Sequence, residues 1–216
     1  MKLNRFLAVA AVALPAAVTS FHAAAVPVVY TSQATFNTAI APYPKGTDTF
    51  TAFTTGASVT SPLARTAGAF AYTASDPLGL YAGLGTDGFL TNNDRTSTVT
   101  LNGFAPSINA FGANFFGSAS SGAFSAGESI IINILESNGT LFSTTLTATT
   151  RASFIGYRAD SSIASVTFRS ANTLLLWPSV DNVTVGAIPE PMSLALVGVA
   201  LLGAAAARRR GAAANS

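Results

Sequence analysis

Cysteine is absent from this 216-residue sequence, and its single histidine, His22, lies close to the N-terminus. Without cysteine there is no disulfide, so packing and hydrogen bonds alone must stabilise the fold. Beyond position 22 neither side chain is available for Ser-His-Asp or Cys-His catalysis. The same absence excludes zinc sites built from histidine and cysteine in that part of the chain.

Charged residues are also scarce, at 9% of the chain, and the formal net charge of +2 comes from the two ends. Between Val26 and Ala187 six basic residues stand against eight acidic ones, which gives a net charge of −2. That region contains no run of basic residues. Nucleic-acid binding requires such a positive surface, and we therefore exclude it.

The sequence offers little for other catalytic chemistry. It has no Gly-Lys-Ser or Gly-Lys-Thr element, which a phosphate-binding P-loop requires. A glycoside hydrolase needs two carboxyl groups about 5 to 10 Å apart. Glu128 and Glu136 lie on one predicted strand, where eight steps of about 3.3 Å separate them by roughly 26 Å. We predict no enzymatic activity; a secreted hydrolase that uses acids from different loops is the least favoured alternative.

The N-terminus has the pattern of a secretory signal peptide. Lys2 and Arg5 precede an apolar stretch over residues 6–18, and three alanines at residues 23–25 supply a cleavage site. We predict that signal peptidase removes residues 1–25, so that the mature chain begins at about Val26. An uncleaved N-terminal anchor is the alternative.

The C-terminus has the pattern of a membrane segment. Pro189, Glu190 and Pro191 precede an uncharged run over residues 192–207, which Arg208, Arg209 and Arg210 follow. Sixteen helical residues span about 24 Å, short of the roughly 30 Å hydrocarbon core, and local thinning and snorkelling arginines make up the difference. Because basic residues stay in the cytoplasm, the arginines form a membrane stop on the cytoplasmic side.

The Pro-Glu-Pro element, the Leu/Val/Gly/Ala helix and the terminal arginines closely resemble the PEP-CTERM sorting signal of Gram-negative bacteria. The resemblance implies that exosortase, a membrane-embedded thiol enzyme, recognises the Pro-Glu-Pro segment and removes the helix. It also implies a transient inner-membrane anchor, followed by release to the cell surface or a matrix of exopolysaccharide and biofilm. A plain C-terminal anchor is the alternative. The predicted division is a signal peptide (1–25), an ectodomain (26–187) and a sorting signal (188–216).

The ectodomain shows short strands separated by Gly, Pro, Asn and Asp, and one short helix that Ser32 begins and whose Phe36, Ala39 and Ile40 share one face. The first strand is predicted at residues 28–30, the last over residues 180–185 with Asp181 at its start, and a Gly/Ser/Ala-rich loop over residues 117–127. The residues predicted to point inward are Val99, Leu101, Ala164, Val166, Phe168, Val183 and Val185.

A run over residues 130–135 is apolar on both faces and predicts a central strand, and Asn138-Gly139 predicts a two-residue hairpin loop. We predict an all-β fold: an antiparallel, jelly-roll-like β-sandwich with one short N-terminal helix, plus the C-terminal transmembrane helix. The segment from Phe154 to Gly186 is also similar to the last strands of carbohydrate-binding jelly rolls.

Two weak ligand sites follow from residue types. Trp177 and Tyr81 are candidates for a sugar platform, although the preceding Leu174, Leu175 and Leu176 favour Trp177 as a core or rim packing residue. Asp87, Asp94 and Asp181 are weak calcium candidates, with turn formation as the alternative. The favoured function is a structural protein of the surface or matrix, and the alternative is a carbohydrate-binding jelly-roll module.

Overall fold

A computed structural model describes residues 26–53, 55–85, 88–171 and 174–189, together with residues 199 and 203. In chain order the elements are β1 (Val28–Tyr30), α1 (Gln33–Ala39), β2 (Lys45–Asp48), β3 (Ser58–Val59), β4 (Leu63–Ala67), β5 (Phe70–Ser75), β6 (Leu80–Ala82), β7 (Leu90–Asn92), β8 (Val99–Asn102), β9 (Ala110–Ser118), β10 (Phe124–Ser125), β11 (Ile130–Glu136), β12 (Leu141–Leu146), β13 (Phe154–Arg158), β14 (Ile163–Ser170) and β15 (Trp177–Gly186).

The strands form two antiparallel sheets. The large sheet has nine strands in the order β1-β13-β9-β15-β7-β6-β3, with β10 paired to β9 and β2 paired to β15. The small sheet has six strands in the order β12-β11-β14-β8-β5-β4. The predicted all-β sandwich with one short helix is therefore confirmed.

The main core lies between the inner faces of the two sheets. Alternate residues of each strand point inward, as the two-residue period of a strand requires. Ile130, Ile132 and Ile134 of β11 are completely buried in this way. The ring of Phe115 from the large sheet meets that of Phe168 from the small sheet edge to face, with centroids 5.3 Å apart.

Strand β11 is not the doubly buried central strand that its apolar run predicts. It lies next to the edge strand β12, and its outer face is partly open. Leu135 on that face is 38% exposed. The prediction that Leu135, in the run apolar on both faces, is a core residue is therefore wrong. The run shows which side chains are apolar, but it does not show whether another element packs over the outer face of the strand.

Four residues, 137–140, lie between β11 and β12, rather than the predicted two-residue loop. The Gly139 N–H donates to the Glu136 carbonyl at 3.0 Å, and the Glu136 N–H donates to the Thr140 carbonyl at 2.9 Å. Gly139 has a φ of 89°, the left-handed conformation that glycine adopts most easily. The Asn-Gly pair is therefore the second half of a turn that Glu136 and Gly139 close, and it does not form the whole loop.

A second bulge changes which residues of β14 face the core. Leu135 pairs with Ser165 whereas Glu136 pairs with Ile163, so Ala164 is an extra residue in the ladder. Ile163 is buried and Ala164 is exposed, which reverses the predicted inward position of Ala164. Beyond the bulge, Val166 and Phe168 point inward as predicted.

Both faces of β9 are covered, which explains its long apolar sequence. One face belongs to the main core, and the other packs under α1 through a smaller cluster of Phe36, Ile40, Ala110 and Phe154. Gly112 is required there, because a Cβ would lie 2.7 Å from the rings of Phe36 and Phe154. The Gly/Ser-rich segment over residues 117–127, predicted as one loop, contains the end of β9 and the short strand β10.

The last strand starts earlier than its apolar residues predict. It begins at Trp177, and its pairing to β9 shifts register between Asp181 and Thr184. Asp181 therefore lies in the middle of β15 and not at its start. Val183 and Val185 are fully buried, as predicted.

The predicted signal peptide, Glu190, Pro191, the arginine stop and nearly all of the predicted transmembrane segment 192–207 lie outside the described residues. Among the residues that are described, no helix has the length and apolar character needed to cross a bilayer.

Candidate functional site

A small cavity of about 70 Å³ joins the two aromatic residues that the sequence singles out. Tyr81 of β6 and Trp177 of β15 both line it, and both are partly exposed. The rest of the lining comes from β7, from the residue after it and from the segment between β9 and β10: Thr91, Asn92, Asn93, Ala119, Ser120 and Gly122.

The strand register explains why these side chains share one face of the large sheet. Tyr81 pairs with Thr91, and Thr91 pairs with Ser179, two residues beyond Trp177. Paired residues, and residues two apart on one strand, lie on the same side of a sheet. The Tyr81 hydroxyl donates to the Gly56 carbonyl, which fixes the ring at the cavity wall.

Buried hydroxyl groups support the cavity from below. The Ser179 hydroxyl donates to Ser118 at 3.0 Å, and the hydroxyls of Ser118 and Thr91 lie 3.2 Å apart. Thr91 also donates to the Pro178 carbonyl at 2.9 Å, next to Trp177. These bonds hold β7, β9 and β15 together beside the cavity, and Thr91 links this network to the cavity wall.

Asn92 lines the cavity but its side chain turns to the other face of β7. It alternates with Thr91 along the strand and donates through Nδ2 to Asp76 at 3.0 Å. Its Oδ1 is buried and has no hydrogen-bond partner among the described residues. Asp76 also accepts from the Ser97 hydroxyl at 2.6 Å and from the Leu78 N–H at 2.8 Å. This cluster ties the loop after β7 to the sandwich. Asp76, Ser97 and Leu78 do not line the cavity.

Of the three calcium candidates, the structure describes Asp94 and Asp181, and each accepts hydrogen bonds from its own segment. Asp94 forms a turn in which its carboxylate accepts the Thr96 hydroxyl at 2.6 Å and the Thr96 N–H at 2.7 Å. These two hydrogen bonds lower the pKa of Asp94. Asp181 accepts the Asn182 N–H at 2.6 Å inside the β15 bulge. Asp87 lies outside the described residues, and within the described ranges no group of three His, Cys, Asp or Glu residues could hold a metal.

Glu128 and Glu136 are buried structural acids. Only Glu136 belongs to β11, whereas Glu128 precedes that strand. Glu136 accepts the Tyr157 hydroxyl at 2.6 Å and the Ser161 N–H at 2.9 Å. Burial and the bond to Glu136 raise the pKa of Tyr157 above its ordinary value.

Glu128 ties the chain that leads into β15 to the sandwich. One of its oxygens accepts the N–H groups of Leu174 and Leu176, both at 3.0 Å. Its other oxygen accepts the Ser129 N–H at 2.9 Å. The carboxylate therefore fixes the segment immediately before Trp177, which places that ring at the cavity.

A largely buried ion pair, which no local sequence pattern predicts, joins the two sheets. The Arg65 guanidinium donates to Asp48 at 2.8 Å through Nε and at 2.5 Å through Nη2, and the Tyr72 hydroxyl donates to Asp48 at 2.7 Å. Burial lowers the pKa of Arg65, but the hydrogen bond and charge of Asp48 outweigh it and raise that pKa overall. Burial, followed by the charge of Asp48, raises the pKa of Tyr72.

Arg65 also lines a larger cavity of about 380 Å³ along β4 and β5. Its guanidinium is held by Asp48 and lies over the rings of Phe50 and Phe53. The Arg65 Cζ is 4.8 Å from the ring centroid of Phe50 and 4.7 Å from that of Phe53. Since these contacts engage the cation inside the protein, this cavity offers a weaker ligand site than the one beside Trp177.

The predicted sorting motif begins directly after the folded domain. Pro189 is exposed and follows the last strand by three residues. Residues 187–210 match the model of the PEP-CTERM protein-sorting motif. The chain therefore carries a PEP-CTERM sorting motif at its C-terminal end, and this motif implies an exported protein that exosortase sorts.

No curated protein matches the chain in sequence. Among solved structures, a mutant of a family 29 carbohydrate-binding module is similar at 8% identity and a TM-score of 0.38, covering 68% of this chain and 99% of that one. The CBM22-1-CBM22-2 tandem domain from Paenibacillus barcinonensis has 11% identity and a TM-score of 0.35, covering 69% and 47%.

The CBM22-1 xylan-binding domain from the same organism has 10% identity and a TM-score of 0.31, covering 68% of this chain and 94% of that one. All three TM-scores lie below 0.5. These likenesses therefore carry no conclusion about a ligand.

Proposed function

We propose that the protein is a non-catalytic component of the cell surface or extracellular matrix, associated with exopolysaccharide and biofilm. The observation that carries this proposal is the match to the sorting motif, which starts where the β-sandwich ends. Signal peptidase removes residues 1–25, and the chain is then held in the inner membrane by residues 192–207 with Arg208–Arg210 in the cytoplasm. Exosortase cuts near the motif and releases the sandwich.

The buried acids support a role without catalysis. Asp48, Glu128 and Glu136 are each at least 95% buried. Each accepts hydrogen bonds from groups within the domain. A general acid or base must reach a substrate proton, and these carboxylates are engaged in holding strands and loops together.

Replacement of Glu190 by alanine tests the sorting step. Recognition is lost while the apolar helix remains, so the full-length chain should accumulate in the membrane fraction of a host that has the sorting enzyme. Ser193→Ala, two residues beyond the motif, is the matched control and should be released like the natural chain. Release of Glu190→Ala at the natural rate, measured by fractionation and immunoblotting, would contradict the proposal.

A second candidate function is carbohydrate binding at the cavity between Tyr81 and Trp177. The specific observation is that both rings line one cavity together with the polar residues Thr91, Asn93 and Ser120. The ten residues of β15 place Trp177 about 30 Å from Gly186, where the tail leaves the domain. The cavity therefore lies at the opposite end of β15 from the sorting motif.

A glycan array on the purified mature chain separates the two functions. If the cavity binds sugar, Trp177→Ala should weaken binding by about 10- to 30-fold, because a central aromatic anchor carries much of the affinity. Leu175→Ala is the matched control, since Leu175 is exposed at the same end but does not line the cavity. No bound glycan, or equal binding by both variants, would reject this second function.

A further inference from the structure

The side chain of Asn109 holds the junction between the last strand and the sorting motif. Its Oδ1 accepts the Ile188 N–H at 2.8 Å, and its Nδ2 donates to the Ile188 carbonyl at 2.6 Å. Asn109 is 9% exposed. The amide thus pairs with both backbone groups of Ile188, as a neighbouring strand would.

Further bonds fix the residues around this pair. The Ala187 N–H donates to the Pro44 carbonyl at 2.9 Å, and the Asn109 N–H donates to the Gly186 carbonyl at 3.2 Å. The side chain of Ile188 packs against the smaller apolar cluster under α1. The folded domain therefore extends to Ile188, one residue before Pro189, and no free spacer separates it from the motif.

We propose that Asn109 is a clamp that limits the access of the sorting enzyme to the motif; this rests on the function proposed above. An enzyme that cuts beside Pro189 must take up an extended segment that includes the preceding residue. Backbone groups that are bonded inside the domain become available only through local opening. The opening required here is small, because Ile188 belongs to the smaller cluster and not to the main core.

The cavity beside the junction agrees with such a local opening. It measures about 270 Å³ and is lined by Pro106, Ser107 and Ser162 together with residues 187–189 and Asn109. The loop before β9 therefore leaves space next to the clamp instead of packing over it. Release of Ile188 breaks its two hydrogen bonds to the Asn109 side chain without displacing a strand of either sheet.

A pulse-chase experiment on the full-length chain tests the clamp in a host that has the sorting enzyme. The readout is the rate at which the tail with Arg208–Arg210 is lost. Asn109→Ala should speed this loss by about 5- to 30-fold, the factor that corresponds to one or two hydrogen bonds. Asn133→Ala, on the outer face of the small sheet and outside the lining of the junction cavity, is the matched control and should leave the rate unchanged.

A spacer separates the clamp from a merely structural role of Asn109. A short Gly-Ser insertion between Ile188 and Pro189 leaves Asn109 intact but frees the motif, so tail loss should accelerate in the same way. In the spacer variant, Asn109→Ala should not speed tail loss any further. It should still lower the melting temperature of the domain, because the two hydrogen bonds to Ile188 are lost.

The outcomes distinguish the clamp from the sorting function. An unchanged or slower rate in both the Asn109→Ala and the spacer variant overturns the clamp while sorting stands. If Asn109→Ala fails to fold, the spacer variant decides alone: acceleration supports the clamp and an unchanged rate overturns it. If neither the natural chain nor the spacer variant loses its tail, the proposed sorting function fails and the clamp fails with it.

Discussion

Replacing Asp48 by alanine should lower the free energy of unfolding by about 3 to 5 kcal/mol, because it leaves the Arg65 cation buried without its counter-ion. The Arg65 side chain is 19% exposed and that of Asp48 is 4% exposed, so water replaces little of the lost interaction. The Tyr72 hydroxyl loses its acceptor at the same time. Urea denaturation of the mature chain measures the change.

A compensated variant is the control for this prediction. Asp48→Ala combined with Arg65→Met and Tyr72→Phe removes the charges and hydroxyl together, and should recover much of the lost stability. A loss below about 1 kcal/mol in the free energy of unfolding for Asp48→Ala alone would mean that water solvates the Arg65–Asp48 pair. That result would contradict the strong interaction inferred for this pair.

Replacing Ile132 by alanine should cost about 2 to 5 kcal/mol, the range for a large aliphatic side chain removed from a packed core. Ile132 is completely buried between the sheets. Leu135 lies three residues further along the same strand and is 38% exposed. Leu135→Ala should cost clearly less, which makes it a control for strand position and residue size.

Chemical denaturation of the two variants under identical conditions gives the comparison. Equal losses at Ile132 and Leu135 would mean that the outer face of β11 is covered in solution. A loss below about 1 kcal/mol at Ile132 would contradict the placement of the main core.

The alternation of apolar residues predicts most of the sandwich correctly, because it reports directly which face of a strand is buried. The strand at Val28–Tyr30, the buried helix residues Phe36 and Ile40, and the inward positions of Val99 and Leu101 all follow from it. The positions of Ala164 and Leu135 do not follow from it. A bulge, and the packing over the outer face of a strand, both depend on other parts of the fold, which the local sequence pattern does not contain.

The candidate sites were predictable to different degrees. The sorting motif is contiguous, so the sequence alone locates it. Trp177 and Tyr81 could be nominated as aromatic residues, but their shared cavity depends on the order β15-β7-β6 in the large sheet. The bonds from Asn109 to Ile188 and from Arg65 to Asp48 join residues far apart in the chain, and no local signal predicts them.

Intact-mass spectrometry of the protein recovered from a host with the sorting enzyme tests the central claim most directly, namely that the chain is exported and sorted through its C-terminal motif. The mature mass should correspond to a chain that begins near Val26 and ends close to Pro189, with the apolar helix and the basic tail both removed. Mature material that still carries Arg208–Arg210 in that host would contradict sorting and leave a plain membrane anchor.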